Sequence, residues 1–235
     1  MSPKVRQFTA NFNDICAMEF VIFRIKAGWL ALLCVFCSGF LAAQQDSLQY
    51  IQGFSFQQGI YLNFEQFRTN HPVPKSDIVF DADTSRLDFI KLALSKDNVQ
   101  WRDSSGNIQT TKLISLWGYS ENNAVYIRMG YSFNRIMVIG SICHFTAYVT
   151  NYMSTGPGTY PNQQYGAPVE SLQQFVLDMK TGATYDFNSN TMLYLLSRDP
   201  QLYGEFSALK KRKRREQIFI FLRKYNERHL LYFPE

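Results

Sequence analysis

Histidine and cysteine are scarce in this chain of 235 residues, which holds three and four of them. Cys16, Cys34 and Cys37 all precede residue 44, so Cys143 stands alone in the remainder. Four Cys are too few for a disulfide-built miniprotein, and one thiol makes no intramolecular disulfide. Charged residues are only 18%, with 13 Gly and 8 Pro, which excludes disordered, collagen-like and coiled-coil chains. There is no His-Glu-x-x-His, no Gly-rich phosphate loop ending in Lys, no Gly-x-Ser-x-Gly elbow and no dinucleotide fingerprint. Such absences lower the expectation of an enzyme without excluding one, because catalytic groups assemble from distant residues.

What is present begins with an uncharged stretch, Ala27–Ala43, preceded by Arg24 and Lys26 and followed by Gln44, Gln45 and Asp46. A basic flank, a short apolar run and small residues at its end are the parts of a secretory signal peptide. The run is somewhat shorter than the ~20 apolar residues of a spanning helix. Cleavage is therefore the first reading and an uncleaved anchor the second. Neither Cys34 nor Cys37 follows the small residues of a lipid-attachment box. Met18 would be a more conventional start than Met1. Residues 1–44 are expected to be an N-terminal extension with a signal peptide, and residues 45–235 a single β-rich domain.

Gly59–Leu62 reads as a strand, followed by a short helix that Asn63 caps and Gln66 reinforces. Asn70-His71-Pro72 should stop it. Leu87–Leu94 reads as a strand with Ile90, Leu92 and Leu94 on one face. Further strands are expected at Val99–Arg102, Ile108–Thr110, Leu113–Tyr119 and Ala124–Arg128, with turns at Ser104–Asn107 and Glu121–Asn123. Arg135–Thr150 is the longest candidate. In it Cys143, Phe145, Ala147 and Val149 share one face, opposite His144, Thr146 and Tyr148. Residues 151–168 form a long loop rich in Gly, Pro and Tyr. A hairpin should join Leu172–Asp178 to Ala183–Phe187, with Gly182 left-handed. Asn190 can cap a helix over Met192–Ser197. Asp199-Pro200 restarts a helix expected to run to about Asn226. The predicted class is α+β: an antiparallel sheet, or a partly curled barrel, of about six to eight strands followed by a C-terminal helical segment.

Candidate chemistry is thin. Cys143 and His144 are neighbours, but strand neighbours face opposite ways, so they form no nucleophile–base dyad. Cys143 is expected in the core and His144 on the surface. Asp81, Asp83 and Ser85 resemble the start of a calcium loop, yet Arg86 replaces its Gly and Leu92 its bidentate acid, so a polar turn is the reading. No cofactor or metal is implied. The loudest feature is Lys210, Lys211, Arg212, Lys213, Arg214 and Arg215. Six successive cations surround a helix and cannot all pair. They form either a solvated segment or a surface for an anionic partner. In an exported chain that partner is a lipid headgroup, lipopolysaccharide or an acidic polymer rather than nucleic acid. Tyr152, Tyr160 and Tyr165 in the long loop are a second candidate contact surface, for sugar or peptide, or else belong to a surface insertion.

Gly59–Phe67 with Asn70 and Pro72 resembles uncharacterised exported proteins of the Bacteroidota. Echoes follow at Leu116–Tyr119, Val176–Asp178 with Thr181-Gly182, Asp199–Phe206 and Lys224–Asn226, so the resemblance spans most of residues 59–228. It implies export and a single β-rich domain ending in a basic helix, and brings no catalytic residues. The ending Leu230–Glu235 shows no appended secretion domain, so the cell surface is not favoured over the periplasm.

Charge is unevenly placed. Residues 45–204 hold 11 Lys+Arg and 13 Asp+Glu, a net −2, whereas residues 205–235 hold 9 and 4, a net +5. The expectation is a non-catalytic exported protein with a binding or structural role in the cell envelope. Its membrane contact would come only through the N-terminal segment or the basic helix. The alternative is a small hydrolase or carbohydrate-active enzyme drawing on scattered carboxylates such as Asp88, Glu121, Asp178 and Asp186.

Overall fold

The computed structural model describes residues 47–51, 53–152 and 168–234. The chain divides into two units, and all the described residues fall in the second, Ser47–Glu235. Among them no helix is long and apolar enough to cross a membrane.

An eight-stranded antiparallel sheet organises this unit. Its strands are β2 (Gly59–Tyr61), β3 (Val73–Pro74), β7 (Gly118–Glu121), β8 (Ala124–Met129), β9 (Ser132–Val138), β10 (Ile142–Tyr152), β11 (Pro168–Asp178) and β12 (Thr184–Asp186). The order is β12-β11-β10-β9-β8-β7-β2-β3, with two free edges, so the sheet is open rather than a closed barrel. A small sheet holds β4 (Ile78–Val79), β5 (Asn98–Arg102) and β6 (Ile108–Lys112), and β1 (Ser47–Gln49) pairs with β13 (Tyr232–Pro234). Among the described residues the α-helices are α1 (Phe64–Arg68), α2 (Phe89–Ala93), α3 (Ser189–Leu196), α4 (Pro200–Ala208) and α5 (Lys211–Arg228). The class is α+β.

Period-two alternation builds the layers. Tyr61, Val125, Ile136, Cys143, Phe145, Phe175 and Leu177 point into one apolar cluster, which Phe67 of α1 and Phe233 of β13 complete. The opposite face feeds two further clusters. Ile60, Tyr119, Tyr126 and Phe133 meet α2 and the small sheet at one end. Ile142 and Val176 meet α3, α4 and α5 at the other.

Local chemistry explains the turns. Asn122 (φ 52°) and Asn123 (φ 59°) are both left-handed, as a two-residue hairpin of this hand requires. Gly182 (φ 73°) sits as expected in the β11–β12 connection. The Asn63 side chain accepts from the Gln66 N–H (3.0 Å), while the Gln66 side chain accepts from the Leu62 N–H (2.6 Å). Asp199 caps α4 by accepting from the Leu202 N–H at 3.0 Å.

Five expectations about the elements are corrected. The strand expected at Leu113–Tyr119 is a 3-10 turn over Leu113–Ser115, and β7 begins only at Gly118. Residues 87–94 hold helix α2 rather than a strand, because the buried Glu121 carboxylate accepts from the Ile90 N–H at 2.8 Å and so caps its first turn from another strand. The Arg135–Thr150 run breaks into β9 and β10 at Ile139–Ser141. There Gly140 passes so close to the Asn226 side chain that no Cβ fits. Helix α3 starts earlier than expected, since Asn188 rather than Asn190 is its cap, accepting from the N–H groups of Asn190 (2.9 Å) and Thr191 (3.0 Å). The last helix is two helices: Leu209 (ψ 142°) and Lys210 (ψ 150°) are extended. That corner turns α5 back over the cluster α4 already covers. One straight helix from 200 to 226 would run ~40 Å, past the sheet it must cover.

Candidate functional site

The corner at Leu209-Lys210 decides where the basic run points. Lys210 lies outside the helix, and the other five cations fill the first turn and a half of α5. This placement opposes local stability. A helix N-terminus carries a positive partial charge and favours acids there, yet the first turn of α5 has no acidic residue and Lys210 makes no side-chain cap. A sequence that breaks a local rule at one place points to a function at that place.

Helical spacing sorts the cations onto two faces. Arg212 and Lys213 both pair with Glu216, each at 2.9 Å. That carboxyl is held below its usual range, first by Lys213 and then by Arg212. Lys211, Arg214, Arg215 and Ile218 lie three and four residues apart on another face, where they line a cleft of about 710 Å³. Among the described residues none of these three cations has a carboxylate within ion-pair distance. Arg214 Nε donates to the Leu209 carbonyl at 3.0 Å, which fixes its stem and leaves its terminal nitrogens free of that bond.

The far wall comes from the start of α3 and the strands beside it: Gln174, Phe187, Asn188, Ser189 and Asn190. The N-termini of α3 and α5 therefore meet at one cleft, and both dipoles add to the three cations. The Ser189 hydroxyl is enclosed with no hydrogen-bond partner. His144 lies deep beside this wall. It is buried, not exposed as expected, because Phe187 and Phe219 close over its ring at 4.9 Å each and pack on one another at 4.8 Å. Its Nε2 lies 3.1 Å from Gln174 Oε1. Burial lowers its pKa, against the opposing pull of the Gln174 bond. The imidazole is thus neutral around pH 7 and acts as structure.

Cys143 faces the opposite layer, as strand alternation requires, and is fully buried. Burial pushes its thiol up to about 12, so it is no nucleophile. Three of the four scattered carboxylates are taken up by structural partners. Asp88 pairs with Arg86 at 3.0 Å, and Glu121 caps α2. Asp178, on β11, accepts from both terminal nitrogens of Arg198 at 2.9 and 2.8 Å. β11 and β7 are four strands apart in the sheet, so Asp178 and Glu121 are not on neighbouring strands. Asp83 folds onto Ser85, whose N–H and hydroxyl donate to it at 2.8 and 2.7 Å, as a polar turn does. Tyr152 is the last residue of β10, while Tyr160 and Tyr165 lie outside the described residues.

The cationic run was legible in the sequence; its partners were not. Asn188, Ser189 and Phe187 carry no motif, and only the fold brings them opposite Arg214 and Arg215. The arrangement defines an α+β protein with a cationic cleft suited to holding an anion. Residues 59–229 match the DUF6563 family, a family of unknown function, and the chain belongs to it. No curated protein matches the chain, and no solved structure does.

Proposed function

We propose that this protein is a non-catalytic binding component of the cell envelope, exported by its N-terminal segment, that holds an anionic envelope component in the cleft between α3 and α5. The observation that carries the reading is the convergence of Lys211, Arg214 and Arg215 with two helix N-termini on one concave surface. Cations without counter-charge at the positive end of a helix repel one another, and a bound anion relieves that repulsion. Export rests on the uncharged Ala27–Ala43 stretch behind Arg24 and Lys26, and on the resemblance to exported proteins.

The test replaces Lys211, Arg214 and Arg215 together with Gln and measures retention on isolated envelope fractions at low ionic strength. The wild type should be retained and then released as salt rises, because the attraction is screened over about 10 Å at 0.1 M. The triple variant should stay in the soluble fraction. Equal retention of the two proteins at low salt would dispose of the cleft as the binding surface.

A further inference from the structure

We infer that the anion held in this cleft is a phosphosugar: a phosphate monoester gripped by Lys211, Arg214 and Arg215, with its hydroxyl-bearing ring against Phe187 and Phe219. This rests on the binding reading above and names the ligand class. Charge and its spread come first. Lys211 to Arg215 covers only ~6 Å of helix axis, the reach of one compact group. A single carboxylate is matched by one bidentate Arg, so three cations suit the double charge of a phosphate monoester. An extended polyanion needs a long basic stripe, but Arg212 and Lys213 are taken up by Glu216, and residues 45–204 carry a net −2. The recess is concave, which a flat lipid surface does not fill.

The wall facing the cations is neutral and amide-rich. Asn188 uses its side-chain oxygen to cap α3, and Gln174 uses its own on His144. Each keeps its NH₂ group as a donor, which suits hydroxyl acceptors. Phe219 is 37% exposed and is stiffened by Phe187 and by the His144 ring. That leaves a rigid apolar face for the C–H side of a sugar ring. A volume of about 710 Å³ admits a hexose phosphate.

The test is calorimetric titration of the full chain at low salt with glucose 6-phosphate, glucose and inorganic phosphate. Glucose 6-phosphate should bind about tenfold more tightly than inorganic phosphate, and glucose should show no binding. The double variant K211Q/R215Q should weaken glucose 6-phosphate by about tenfold or more. F219A should bring its affinity down to that of inorganic phosphate and leave phosphate itself unchanged. Unfolding midpoints confirm that each variant is folded. Phosphatidylcholine vesicles doped with lipid A separate the two sources of this chemistry. Capture reversed by glucose 6-phosphate identifies a lipid-borne phosphosugar, and binding of glucose 6-phosphate without capture identifies a soluble one. Equal affinity for phosphate and glucose 6-phosphate, with F219A indifferent, overturns the phosphosugar and leaves the anion cleft standing. So does capture by plain phosphatidylglycerol vesicles without sugar-phosphate binding. Failure to bind any anion, with envelope retention unchanged in the triple Gln variant, overturns both.

Discussion

Asp178 shows how partners settle what a single carboxylate does. Its side chain is 1% exposed and accepts from Arg198 twice, from the Thr181 hydroxyl (2.8 Å) and from the Lys180 N–H (3.1 Å). Burial alone would raise its pKa, but the Arg198 and Thr181 bonds outweigh that and hold it below the ordinary Asp value. As a sequence residue it was one of several unpaired acids, because Arg198 lies twenty positions away on the far side of α3. Replacing it, D178N, keeps the shape but leaves Arg198 facing a neutral amide. The expected loss is about 3 kcal/mol, the lower end for breaking a buried pair, since Arg198 keeps some solvent. Urea unfolding at pH 7 measures it. The pH dependence follows from the sign of the shift. A carboxyl whose folded pKa lies below its unfolded value of about 3.9 contributes its full stability above that value, and loses it as pH falls through the folded pKa. The wild type should therefore lose stability below about pH 4 more steeply than D178N. Parallel acid limbs would show that folding does not shift the Asp178 pKa.

At the level of elements, legibility follows how local the cause is. The Asn63 cap, the Asn122-Asn123 hairpin, the Gly182 turn and the Asp199-Pro200 start are read correctly because each depends on a few adjacent residues. Helix α2 is misread because its buried Phe89, Ile90, Ala93 and Leu94 allow either period over so short a run, and its cap is Glu121, 31 residues away. The corner before α5 is missed because Leu209 and Lys210 carry no turn signal; α5 turns there to reach the sheet. One side chain makes a paired contact in that docking. The Asn226 side chain accepts from the Ile142 N–H at 2.8 Å and donates to the Ile142 carbonyl at 2.9 Å. It thereby stands in for a neighbouring strand at the start of β10. N226A leaves both groups of a fully buried residue unpaired, at a cost of about 1–3 kcal/mol each. N226D keeps the acceptor but turns a second oxygen toward the Ile142 carbonyl, so it should be no milder. Thermal unfolding of both variants checks the order. An N226A midpoint equal to wild type would mean the pairing contributes nothing.

Across the whole molecule, the +5 net charge is unevenly placed: residues 1–44 carry +2, residues 45–204 carry −2, and the largest basic excess, +5, sits in residues 205–235. The same strands that position this excess also tie the three apolar clusters together. On β10, Ile142 packs with the helices while Cys143 packs on the opposite layer; on β11, Val176 and Leu177 divide the same way. On β2, Ile60 and Tyr61 do so between the α2 end and that same layer. No cluster can lose its strands without exposing another, so unfolding should be one cooperative transition. F206A, in the helical cluster, and F67A, in the opposite layer, each remove a fully buried ring and should each cost about 3–5 kcal/mol. Both should move the far-ultraviolet helical signal and the near-ultraviolet aromatic signal together, to one lower urea midpoint. If F206A instead melted the helical signal first, while the aromatic signal of the sheet persisted, then α3, α4 and α5 would be a separately folding layer. The cleft would then be able to open without disturbing the sheet beneath it. A single shared midpoint ties the cleft to the whole fold, because its two walls come from α5 and α3 and both rest on β10 and β11.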